Sequence, residues 1–151
     1  MSGHRHDYEY EYVHEHPRGN EYMFAEQSSE LMQWPIKLWK APIVSPYYHH
    51  AHLLVAADCS AFSYPNFHNA YAKGKVTLIC CMDTDFDIMS KLSQILLHNE
   101  IKSVTVVKTD KSCCSDLSIA VMQAVKSSRL PVPVQVSIIC IDAEDLSEDD
   151  E

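Results

Sequence analysis

The sequence predicts an α/β fold: a single small three-layer domain on a mostly parallel four-stranded sheet, in the order 2-1-3-4. Two observations carry this. From His52 onward, short apolar runs rich in β-branched residues alternate with segments of helical period. Capping and turn residues fall in the gaps between them.

The elements follow in order. Leu53 to Ala57 is a short apolar run of the kind buried on both faces of a parallel sheet. Pro65-Asn-Phe-His-Asn-Ala-Tyr-Ala, with proline in its first turn, predicts a short helix that stops at Gly74. Val76 to Cys80 is the second strand. Thr84 is placed to cap the next helix, with Asp87 three residues on. Phe86, Met89, Leu92 and Leu96 recur at helical spacing as its apolar face. Ile101 to Val107 is the third strand, Ser115 to Ser127 the third helix, and Val134 to Ile141 the last strand.

The remainder reads as attachments to this domain, which spans residues 29–142. Residues 29–50 hold Pro35, Pro42 and Pro46, which forbid a long helix. Trp34, Leu38, Trp39 and Ile43 supply enough apolar surface for an extended arm with one short edge strand. Residues 1–28 are a histidine-rich, polar lead-in with the signature of disorder. Residues 143–151 form an acidic tail.

Composition narrows the function. A chain of 151 residues supports one core, and its 46% hydrophobic content is that of a folded domain. The net charge is −9 and the 12 Lys and Arg are scattered, which argues against nucleic acid as a partner. The N-terminus has no apolar signal region and no run is long enough to span a bilayer, so a cytoplasmic protein without a membrane partner is expected. Thiols stay reduced in that compartment, and six cysteines there point to metal or redox chemistry rather than disulfides.

Five of those cysteines lie where a strand stops or just after it: Cys59, Cys80, Cys81, Cys113 and Cys114. Parallel strands would bring their carboxyl ends, and with them these sulfurs, to one edge, where open α/β sheets bind ligands. Strands about 4.8 Å apart allow thiols on neighbouring tips to share one ion at about 2.3 Å per Zn–S bond. Cys59, Cys81 and Cys114 are the expected ligands; Cys113, a further candidate ligand, and Cys80 are expected as spare ligands, supporting neighbours of the site or buried residues. Cys140, late in the last strand, is expected in the core. The N-terminus of the third helix is expected to lower the thiol pKa beside it. His68 is a candidate nitrogen ligand, although a lone histidine on such a helix is more often simply hydrogen-bonded. Zinc and an iron–sulfur cluster both suit such a thiolate set, and the close Cys-x2-Cys-x2-Cys spacing of ferredoxin motifs is absent.

The run from Leu31 to Asp142 resembles a domain of bacterial ferredoxin-type iron–sulfur proteins. The stretches that carry the resemblance are Gln33-Trp-Pro-Ile-Lys-Leu, Leu53-Leu-Val-Ala-Ala-Asp-Cys, Phe67-His68, Lys73-Gly-Lys-Val, Ile101-Lys-Ser-Val-Thr-Val-Val and Ser112-Cys-Cys. The ferredoxin cluster motifs that usually stand beside this domain are missing, and Cys81-Met-Asp and Cys114-Ser-Asp depart from the family's Cys-Pro-Lys and Cys-Gly-Gly. A more distant similarity is to β-class carbonic anhydrases, with Cys59 and Cys114 at ligand positions. The Asp–Arg pair of those enzymes is replaced by Ser60-Ala61-Phe62, and Lys111 stands where their histidine would.

Other motifs are weaker. Ser2-Gly3-His4, freed by loss of Met1, has the donor set of a Cu(II) or Ni(II) site, with His6, His14 and His16 nearby. His49, His50 and His52 ring the solvent end of the first strand. Three glycines in the whole chain leave no phosphate-binding loop. The expected function is a module holding zinc or an iron–sulfur centre, structural or accessory to electron transfer with a redox protein partner. The alternative is a small zinc- or thiolate-dependent enzyme.

Overall fold

The computed structural model describes residues 28–144 and Leu146. The sequences read as the histidine-rich lead-in and the acidic tail thus lie almost entirely outside the described residues. The sheet is parallel throughout: β1 (Ala51–Ala57) lies between β2 (Val76–Cys80) and β3 (Ile101–Thr109), and β4 (Val134–Ile139) pairs with β3. The order 2-1-3-4 is the predicted one. Leu53, Leu54, Val55 and Ala56 in the central strand have no exposed surface, so both faces of β1 are covered.

Helices close both faces. On one, α2 (Ile88–His98) and α3 (Leu117–Ser128) pack Ile88, Leu92, Ile95, Leu96, Leu117 and Val121 on Leu53, Val55, Val104 and Val106. On the other, α1 (Asp58–Ser63) and a π-turn over His68–Ala72 cover Leu54, Ala56 and Val107 with Phe67 and Ala72, and Ala61 and Tyr71 pack at its margin. The chain leaves β1 in one direction toward β2 and returns past it to β3. Right-handed crossovers therefore place α1 on one face and α2 and α3 on the other. Gly74 stands at φ +75 in the turn into β2, with open space around it, so backbone conformation rather than crowding favours glycine there.

Local details differ from expectation. A helix forms directly after β1, before Pro65, so Cys59 sits in the first turn of α1 rather than closing a strand. Asp87, not Thr84, caps α2: it adopts a left-handed backbone, and its carboxylate accepts from the Ser90 N–H at 3.3 Å. Phe86 thus lies ahead of the helix rather than on its apolar face, and is 73% exposed. Cys140 lies beyond β4 and is exposed, because that edge strand ends at Ile139.

The proline-rich arm is pinned by polar contacts. The Leu38 N–H donates to the Ile79 carbonyl at 2.9 Å and the Ile79 N–H to the Ile36 carbonyl at 2.8 Å, giving one bridge along the edge of β2. Asn99 Nδ2 donates to the Ile43 carbonyl at 2.6 Å. Tyr48, buried under the arm, donates its hydroxyl to the Pro42 carbonyl at 2.7 Å, and burial pushes its pKa up to about 12. A raised acid pKa means that the folded state resists deprotonation. The stability that Tyr48 confers is thus complete below pH 10 and lost as pH rises toward 12. Tyr48→Phe should flatten that alkaline decline in a denaturant titration against pH, while costing about 1 kcal/mol at neutral pH for the lost hydrogen bond.

Candidate functional site

The sheet order reverses between β1 and β3, and ligands of open α/β sheets bind at such a switch point, outside the carboxyl ends of the strands. Here the turns that follow β1, β2 and β3 converge on one small cavity of about 10 Å³, lined by Ala57, Asp58, Cys59, Cys81, Met82, Cys113, Cys114 and Leu117. Four of the eight lining residues are cysteines, each placed by a separate local cause. Ser60, fully buried, donates its hydroxyl to the Ala57 carbonyl at 2.6 Å and so anchors the first turn of α1, which carries Cys59. Asp85 accepts from the Cys81 N–H at 2.9 Å and folds the turn after β2 back on itself. A 3₁₀ turn over Ser112–Cys114 presents the last two cysteines ahead of α3.

Cys113 and Cys114 have their sulfurs 4.0 Å apart. Cys114 is buried, and the Thr109 hydroxyl at the tip of β3 donates to its sulfur at 3.3 Å. The same hydroxyl accepts from the Lys111 N–H at 3.2 Å, so Thr109 fixes both the turn and the thiol.

The electrostatics reflect this crowding. Burial raises the Cys59 thiol pKa above its ordinary value, and Asp58, Cys114 and Cys81 add to the rise. Burial and then neighbouring Cys114 push Cys113 up to about 11. The thiol of Cys113 thus moves opposite to the lowering expected beside a helix terminus, through burial first and Cys114 second, and α3 begins only at Leu117. Cys80 points into the core and burial pushes it up to about 12. Thiols held in this state are poor nucleophiles unless a cation compensates the thiolates.

His68 is not part of this constellation. It lies in the π-turn, and its Nδ1 accepts from the Glu30 N–H at 3.0 Å. Among the described residues, the His, Cys, Asp and Glu ligand atoms that come within 4.8 Å of one another in a trio belong to His49, His50 and Glu100, at the opposite edge of the sheet. By sequence, both histidines read only as part of a ring at the solvent end of β1. Their position just ahead of β1, and that of Glu100 just ahead of the adjacent β3, is the signal that could have joined them.

A doubly wound parallel sheet with its site at the switch point defines the Rossmann-like class. The chain belongs to the Rossmann-like domain family, whose profile matches residues 45–151. Comparison with curated proteins and with solved structures returns no match. The family match corrects the resemblance to ferredoxin-type iron–sulfur proteins, and the analogy to β-class carbonic anhydrases gives way with it. The segments that suggested them are largely buried strands and their tips, such as Leu53 to Cys59, which any doubly wound sheet requires. The glycine fingerprint of a dinucleotide site is missing from the first β–α turn. The turn from β1 into α1 is Ala57-Asp58-Cys59-Ser60, without glycine, and a cavity of about 10 Å³ is far below nucleotide size. Among the described residues, no helix is long and apolar enough to cross a membrane.

Proposed function

We propose that this Rossmann-like domain is a metal-binding module that holds one zinc ion between Cys59, Cys81, Cys113 and Cys114. The observation that carries the reading is the convergence of these four cysteines, from three separate β–α turns, on one cavity. Its volume of about 10 Å³ is that of a single water-sized sphere, which suits one ion better than a multi-atom cluster. Tetrahedral Zn–S bonds of about 2.3 Å put sulfurs about 3.8 Å apart, and the Cys113 and Cys114 sulfurs, at 4.0 Å, already have nearly that spacing. Among the described residues no three of these sulfurs lie within 4.8 Å of one another, so Cys59 and Cys81 would have to turn their side chains inward to complete the set. Four protein thiolates leave no coordination position for a substrate, so the role is structural: the ion ties together the three turns that form the switch point.

The test is to purify the full chain without oxygen, record its absorption spectrum and measure bound metal. At least one zinc per chain and no visible absorption are expected, with one equivalent of zinc lost on changing Cys59, Cys81, Cys113 or Cys114 singly to Ser. Iron with sulfide, no metal, or an undiminished zinc content in all four variants would each refute the assignment.

Thr109 positions the centre without binding it. Thr109→Val keeps the shape of the side chain and removes its hydrogen bonds to the Cys114 sulfur and the Lys111 N–H. Partners that orient metal ligands contribute about 10- to 100-fold in affinity. The variant should weaken zinc binding by that factor in a chelator competition, with the ion still bound one to one.

A further inference from the structure

A second cluster of metal-binding groups stands at the other end of the sheet, apart from every thiol. His49 and His50 precede β1, and Glu100 precedes β3, its parallel neighbour. The ligand atoms of these three residues all lie within 4.8 Å of one another. His50 Nε2 is 2.6 Å from Glu100 Oε1, and the two imidazoles are stacked with centroids 3.9 Å apart and planes at 24°.

The cluster is built by the backbone. Successive side chains on extended chain diverge to opposite sides. His50 instead adopts φ 55, a left-handed conformation that a non-glycine residue rarely takes, and the two rings come to lie on one side. The His50 N–H donates to the Glu100 carbonyl at 2.8 Å, so main chain and side chain both tie the approach to β1 to the approach to β3. Strain of this kind persists where the surroundings enforce it, and it concentrates at functional positions. His52, two residues on, takes no part: its Nδ1 is paired with the Ser103 hydroxyl at 2.7 Å.

We propose that His49, His50 and Glu100 form a binding site for a divalent cation of the zinc class, independent of the cysteine centre. Two imidazole nitrogens and a carboxylate oxygen suit zinc and its borderline neighbours, and a set of three protein ligands leaves coordination positions open. His49 and Glu100 also border a broad, open depression whose walls include Val44, Pro46, Leu96 and Leu130. The open positions would take water or a small ligand with an oxygen or nitrogen donor.

The experiment is a Zn2+ titration of the full-length chain, followed by NMR of the histidine ring nitrogens. The His49 and His50 signals should shift together and saturate, while those of His52 stay in place. Glu100→Gln, at a side chain 70% exposed and so without consequence for folding, should weaken that response tenfold or more. A Cys59→Ser, Cys114→Ser double variant should leave it unchanged, which separates this site from the thiol centre. The proposal is overturned if the His49 and His50 rings remain unshifted in excess Zn2+, or if Glu100→Gln binds as the natural chain does.

Discussion

Removing zinc with a chelator should lower the melting temperature of the full chain by roughly 10 °C or more. A ligand that binds only the folded state at a thousandfold excess over its Kd stabilises it by about 4 kcal/mol. In domains of this size each kcal/mol moves the midpoint by a few degrees. The effect is large because the four thiols, half of the residues that line the small cavity, come from all three turns after β1, β2 and β3, so one ion would tie the turns together. Melting curves with and without chelator measure it. The Cys59→Ser, Cys114→Ser double variant should melt low at the outset and ignore the chelator, whereas Glu100→Gln should respond like the natural chain. A natural chain whose melting point does not change on chelation would contradict a structural zinc.

Leu92→Ala should destabilise the domain by about 2–5 kcal/mol, the usual cost of emptying a buried leucine site. Leu92 has no exposed surface and lies in the main apolar cluster, between α2 and the sheet. Against a total stability of about 5–15 kcal/mol this is a large fraction. Phe86 is the instructive contrast, since helical spacing groups it with Leu92. It is 73% exposed and makes one edge-to-face contact with Trp39, at 6.2 Å between centroids. Phe86→Ala should thus cost at most about 1 kcal/mol. Urea denaturation of both variants decides the point: equal losses would mean that α2 packs in the register its spacing suggests, not in the one observed.

That pair of residues shows why the strands were more legible than the helices. Leu53 to Ala57 and Val104 to Val107 are covered on both faces, so their largely apolar character is nearly continuous and survives any error of phase. A helix presents one stripe, and its phase depends on where it starts. Thr84 and Asp87 are both good caps by type, and the choice fell to Asp87 through a left-handed backbone that no spacing reveals. His68 carried the same ambiguity: its residue type permits metal ligation, but its neighbour proved to be the Glu30 N–H.

By itself the sequence determined the parallel order of the strands and the placing of cysteines at their carboxyl ends, because both follow from the alternation of apolar runs with helical segments. Only the tertiary structure decided which sulfurs share a cavity, and it turned Cys80 into the core and left Cys140 outside. It also brought His49 and His50 to Glu100, some fifty residues away along the chain. Distance along a chain carries no information about such meetings. They arise from which strands lie side by side and from the handedness of single residues such as His50, and packing settles both.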